Sequence, residues 1–256
     1  MCLILFAYKS HPTYKLILAA NRDEDYDRPS APAAFRDEAP GILAGRDLRA
    51  GGTWLGITTS GRIAAITNYR DPNSQRSDAP SRGELVSAFL LGKEMAADYL
   101  DRIAQRADQY NGFNLIIGNG DELYWYSNRS NGMLKLRPGL YGLSNCLLNT
   151  PWAKVTLGRD ALTRIITKQE DPSPEALFHL LRDCHIPDDS CLPDTGVGLV
   201  WERILAPIFI TSPTYGTRSS TVLLIDMNDR VKFLERTFHS HPERATTVKY
   251  EFQIEY

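Results

Sequence analysis

Apolar residues arrive in short blocks along this chain, and the spacing of the blocks changes as it proceeds. Cys2–Tyr8 (CLILFAY) is an apolar run of strand length, Lys9, Ser10, His11 and Pro12 interrupt it, and Tyr14–Ala20 is a second run. Two such runs across a short polar break read as a hairpin. Both are apolar at nearly every position, where a strand with one wet face would alternate, so both faces of the hairpin are expected to be covered. Pro29–Ala50, rich in proline, alanine and charge, shows no period and reads as irregular. Strand patterns return at Thr53–Thr58 and Arg62–Tyr69, on either side of Ser60 and Gly61.

Residues 71–80 read as a loop. Ser81 followed by Glu84 fits a capping box and predicts a helix through Leu91. A second helix is predicted over Lys93–Gln105, with Met95, Tyr99, Leu100 and Ile103 on one face. Phe113–Gly118 and Leu123–Tyr126 read as another hairpin. Pro151 after Thr150 and Pro174 after Ser173 mark the first turns of helices over 151–168 and up to Arg182. Cys184–Pro213 reads as loop-rich, and strands are predicted at Ser220–Asp226, Val231–Phe238 and Thr247–Ile254. This order predicts an α+β fold with mostly antiparallel sheets and helices packed outside them. Two stacked sheets between helical layers would cover both faces of the first strands. Neither an internal repeat nor a linker divides the chain, so residues 1–256 are expected to form one domain.

Composition narrows the function classes. The 256 residues are 43% apolar and 23% charged with a formal net charge of −2. Nucleic acid is not expected as a partner, because phosphate binding needs a basic face. No apolar run approaches the roughly 20 residues of a bilayer span. The start lacks the basic segment and small-residue cleavage site of a secretory signal. Four unevenly spaced cysteines (Cys2, Cys146, Cys184, Cys191) do not make a disulfide framework. A soluble protein of the cytoplasm is expected. Cys184 and His185 with Cys191 lack zinc-knuckle spacing, and the five histidines form no metal pattern, so no metal site is expected. His239 and His241 are expected on a solvent-facing loop. Dinucleotide, P-loop and G-x-S-x-G motifs are absent.

The second strand leaves its apolar run through Asn21, Arg22, Asp23 and Glu24. In a hairpin the end of the second strand lies beside the start of the first, so these groups are expected to converge on Cys2. A cysteine exposed by removal of an initiator methionine has an α-amine that serves as base for its own thiol. Arg22 then suits a carboxylate or an oxyanion, Asp23 the amine, and Asn21 an amide hydrogen bond. The alternative is a buried strand-opening cysteine beside a solvated ion cluster. Weaker candidates are Asn68 and Arg70 at another polar strand exit and Asn114 inside an apolar strand. Asn145 before a helix start and Arg218 in YGTRSST complete the set.

Eight blocks run in order along the whole chain: Met1-Cys2, AANRDE (19–24), GGTWLGI (51–57), TNYR (67–70), RGEL (82–85), YNGFNLI (110–116), YGLSN (141–145) with TPW (150–152), and YGTRSST (215–221). Together they resemble the NRDE family, also called the transport and Golgi organization protein 2 family. Its opening is similar to N-terminal-nucleophile hydrolases of the choloylglycine hydrolase and penicillin V acylase group. That resemblance implies a four-layer αββα sandwich, with Cys2 in the nucleophile position and Arg22 and Asp23 as its partners. In those hydrolases the arginine and the acid stand three apart, which selects Asp25 here, whereas the NRDE motif makes them adjacent; both acids stay candidates. The family's links to haem trafficking and to acyl-CoA and lipid metabolism imply an amphipathic anionic ligand. Haem would be cargo rather than a cofactor required for chemistry. Arg22, Arg70 or Arg218 is expected at the mouth of its pocket, with Asn21, Glu24, Asn68, Asn114 and Asn145 around it.

Overall fold

The opening hairpin forms, and its second strand runs well beyond the apolar stretch. In the computed structural model, which describes residues 2–168, 171–238 and 244–255, β1 (Cys2–Tyr8) pairs antiparallel with β2 (Tyr14–Asp25), Cys2 standing opposite Arg22 and Tyr8 opposite Leu16. The chain continues through β3 (Ser30–Arg36), β4 (Ala39–Asp47), β5 (Leu55–Thr58), β6 (Ile63–Asn68), β7 (Phe113–Gly118), β8 (Leu123–Ser127) and β9 (Met133–Lys135), which form a second, seven-stranded antiparallel sheet in that order. The first sheet is completed by β10 (Gly139–Leu143), β11 (Tyr215–Asp226), β12 (Arg230–Phe238) and β13 (Ala245–Gln253). Its order is β10-β1-β2-β11-β12-β13.

Three cores stack the layers. Ile4, Phe6, Leu18, Ile57, Ile116, Leu223 and Phe233 meet between the two sheets. Helices α1 (Gly83–Leu91) and α2 (Ala96–Ala104) cover the second sheet through Leu85, Phe89, Leu100 and Ile103, against Phe113 and Ile117. Helices α3 (Ala153–Lys168) and α4 (Pro174–Leu181) cover the first through Leu162 and Phe178, against Leu3, Leu5, Ile17 and Leu224. The layers therefore run αββα. Alternation does this: Leu3 and Leu5 face the helices while Ile4 and Phe6 face the other sheet. Each large side chain so buried contributes about 1.5–3 kcal/mol. No helix among the described residues is long and apolar enough to cross a membrane.

Several local expectations are corrected. Pro29–Ala50 is not irregular; it holds the whole of β3 and β4. β3 is an edge strand, so Pro32 interrupts no ladder on its outer side. The capping box at Ser81 does not form. Helix α1 starts at Gly83 without a side-chain cap, and Glu84 instead accepts the Tyr110 hydroxyl. Met95 is exposed at the α2 N-cap rather than on its buried face. β9, β10 and a short α5 (Leu199–Leu205) were not expected. His239 and His241 lie outside the described residues.

One acid in the central core carries a prediction. Glu235 on β12 is 2% exposed; one oxygen accepts the Ala33 N–H of the opposite sheet at 2.7 Å, the other the Thr221 hydroxyl at 3.4 Å. Burial pushes its carboxyl up to about 7, against the pull of the Ala33 bond. A carboxyl raised on folding stabilises the fold fully below its unfolded value, and that contribution drains as pH rises through 7. The stability of wild type relative to Glu235→Gln is therefore expected to fall by about 3 kcal/mol from pH 4 to pH 8. Urea midpoints of the two proteins across that range measure it, and a pH-independent difference would contradict it.

Candidate active site

Alternation along β2 divides the NRDE block between two layers. Ala20 and Arg22 share the face toward the second sheet; Ala19, Asn21 and Asp23 share the face toward α3 and α4. Cys2 lies opposite Arg22, on the inter-sheet side with Ile4. Where the sheets part, a polar cleft of about 390 Å³ opens, with Cys2, Arg22, Asp23, Glu24, Trp54 and Arg82 in its wall.

Arg22 is held there with one of its nitrogens unspent. Its guanidinium lies 4.4 Å from the centre of the Trp54 ring, a favourable cation–π arrangement. Nη2 is 3.5 Å from Glu24 Oε2, and Nη1 is buried with no hydrogen-bond partner. Trp54 reaches this position because Gly45 on β4 has no side chain: a Cβ there would stand 2.3 Å from the indole. Arg28, also on the cleft, is taken by Asp47 at 2.6 Å. Arg82 donates to the Gly112 carbonyl at 3.0 Å, and its charge acts on Cys2.

Burial pushes the Cys2 thiol up and the Asp23 carboxylate adds to this, while Arg22 and the Asp23 backbone N–H, which bonds to the sulfur, pull it down. Asp23 is itself buried and accepts the Thr217 hydroxyl at 2.7 Å. Burial raises its carboxyl; Lys154 from α3 is the strongest charge opposing that, ahead of Arg22. Asp25 is exposed at the end of β2, so Asp23 is the acid beside Cys2.

The remaining candidates separate cleanly. Glu24 and Asn68 line the cleft. Asn21 does not. Its amide donates to the carbonyls of Leu181 (2.9 Å) and Ile208 (2.8 Å) and accepts the Ser220 hydroxyl at 2.6 Å, tying the helical layer to β2 and β11. Asn114 donates to Thr67 Oγ1 (3.1 Å) and the Cys146 carbonyl (2.9 Å), and Asn145 to the Asn68 carbonyl (2.9 Å). These two satisfy buried backbone where the sheets meet. Arg70 is not at the mouth: it pairs with Glu202 at 2.7 Å and stacks on Trp152 at 4.8 Å. Arg218 spends Nη1 on the carbonyls of Asp25, Tyr26 and Arg28, clamping the turn after β2.

Sequence reasoning passed over Trp54, Arg82 and Lys154 as site residues. Each stands in or just after a quoted block (GGTW, RGEL, TPW), and nothing in the local pattern tells a cleft residue from a packing one. Among the described residues no group of three metal-ligating side chains is arranged to hold an ion.

A six-stranded and a seven-stranded antiparallel sheet stacked between helical layers define an N-terminal-nucleophile-hydrolase-like fold. The same architecture is found in a mutant of conjugated bile acid hydrolase from Clostridium perfringens. That structure superposes with a TM-score of 0.52 at 7% identity, over 100% of this chain and 97% of that one. The chain itself belongs to the Transport and Golgi organisation 2 family, whose pattern it matches over residues 1–240. It is 38% identical to the mouse Transport and Golgi organization 2 homolog over the full length of both chains. It is 31% identical to Transport and Golgi organization protein 2 of Drosophila melanogaster over 99% of each.

Proposed function

We propose that the protein handles haem as cargo in the cytoplasm, holding this amphipathic anion at the Cys2 cleft and passing it on. The reading is carried by two guanidinium groups flanking one thiol: Arg22, with a buried nitrogen that has no partner, and Arg82, whose charge acts on Cys2. Porphyrin carboxylates suit guanidinium pairs, and a thiolate is a soft ligand for haem iron. At about 390 Å³ the cleft is at the low end of ligand pockets. It takes the charged edge of such a ligand and leaves part of the apolar body outside, which suits cargo that must be handed over. A reducing compartment keeps Cys2 a thiol. Titrating haem into the protein while following the Soret band tests this. A saturable shift that Cys2→Ser weakens supports the reading, and no saturable change in wild type overturns it. Acyl-CoA shares the amphipathic anionic character, so it belongs in the same experiment as competitor. Acyl-CoA binding without any haem binding would replace the cargo and leave a lipid-binding protein without chemistry.

A second reading rests on the Asp23 N–H bond to the Cys2 sulfur and the burial of Asp23 beside it. Once Met1 is removed, the Cys2 amine can take the thiol proton while Asp23 holds the resulting ammonium. The thiolate then adds to an amide carbonyl, the C–N bond breaks, the amine leaves with the proton, and water releases the acid and restores Cys2. Intact mass of the protein purified from cells decides whether this chemistry is open; retained Met1 sinks it.

A further inference from the structure

We propose that Lys154 is a positioning residue of the Cys2 site, its ammonium being the counter-ion that holds Asp23 as a carboxylate at the inner end of the cleft. The inference rests on Cys2 being the working group of that cleft, in either reading above.

Lys154 sits where a lysine is costly on three counts. It is the second residue of α3, at the positive end of the helix dipole, which disfavours a cation. It is 3% exposed, rare for lysine. Its Nζ is buried without a hydrogen-bond partner, so the charge is supported by fields alone. A surface helix gains nothing from such a residue, so the compensation must come from what faces it.

Asp23 is buried on the face of β2 that α3 covers, and the charges that act on Lys154 come from four elements: Asp23 on β2, Cys2 on β1, Arg70 just after β6 and Glu202 on α5. Arg70 opposes it and is bound to Glu202 at 2.7 Å, so those two largely answer one another. Asp23 is the strongest favourable charge on Lys154, and Lys154 is the strongest on Asp23. Strand geometry explains why Arg22 is not: it points to the opposite face of the sheet from Asp23. The side-by-side Arg and Asp of the NRDE motif therefore serve different layers, and the acid finds its cation on the helix above. Between Lys154, Arg70, Trp152 and Glu202 a cavity of about 10 Å³ remains, close to the space one water needs. Burial brings the Lys154 amine down to about 8. Mildly alkaline solution would therefore discharge it and withdraw the support from Asp23.

Nuclear magnetic resonance of the full-length protein tests this without any ligand. The Lys154 13Cε resonance is expected to titrate near pH 8 and to move down by about one pH unit in Asp23→Asn, where its favourable charge is lost; Arg22→Met should leave it in place. In Lys154→Met the Asp23 13Cγ resonance should show protonation at higher pH than in wild type, and Lys154→Arg should bring it back. Titration of Lys154 near the ordinary lysine value of about 10.4, or indifference to Asp23→Asn, overturns the proposal. Should Lys154→Met fail to fold, wild type against Asp23→Asn still decides. A negative haem titration with a positive result here would remove the cargo reading and leave the Lys154 assignment standing.

Discussion

Arg70→Met is expected to cost about 3–5 kcal/mol of unfolding free energy, because it leaves the Glu202 carboxylate buried and without its guanidinium. The side chains of the pair are 6% and 4% exposed and 2.7 Å apart. Glu202 also accepts the Thr195 N–H and hydroxyl, so its carboxylate fixes the segment before α5. Coulomb attraction in so dry a place is large, but so is the desolvation of both ions. The pair is therefore worth little more than a well-packed apolar pair, while half of it is worth much less. Urea unfolding of Arg70→Met, Glu202→Met and the double variant measures this, and the double variant should recover a substantial part of the single loss. A single variant within about 0.5 kcal/mol of wild type, the range of ordinary surface changes, would contradict the assignment. Ligand affinity of the folded fraction should hardly change, because Arg70 lies away from the cleft.

Arg22→Met has the opposite profile. Methionine keeps much of the packing on Trp54 and removes the charge, so the fold should survive while affinity for an anionic ligand drops. Hydrogen bonds to charged groups contribute about 1.5–3 kcal/mol, which corresponds to about 10- to 100-fold in the haem titration. Affinity within a factor of about two of wild type, in a protein of wild-type midpoint, would remove Arg22 from the site. The two arginines thus form a matched pair of tests: one moves stability and spares binding, the other moves binding and spares stability.

The sequence reading ranks Arg70 below Arg22 but offers both for the mouth of one pocket, since each ends a strand in a polar block. Long, strongly apolar runs were legible: β1, most of β2, β7, β8, α3 and α4 stand close to where the pattern predicts them. Weakly patterned elements were not. β3 and β4 are rich in alanine, glycine and proline, so cross-strand pairing rather than propensity holds them. Helix α5 has seven residues, too few to show a period, with Leu199, Val200 and Trp201 exposed. At the site, the meeting of Cys2 with Arg22 was legible because hairpin register is a local property. Arg82, Trp54 and Lys154 come from parts of the chain that reach the cleft only after the sheets stack.

The chain by itself determined the layering: strands apolar on both faces cannot be stable unless both faces are covered. It also determined the hairpin that returns the NRDE block to Cys2. Only the tertiary structure decided which polar groups became site and which became scaffold. Asn21, Asn114 and Arg218 found backbone carbonyls, Arg70 found Glu202, and Arg22 kept a nitrogen without a partner. The reason is that a polar side chain takes its role from the partners that packing brings within about 3 Å, and those partners lie up to two hundred residues away in the chain.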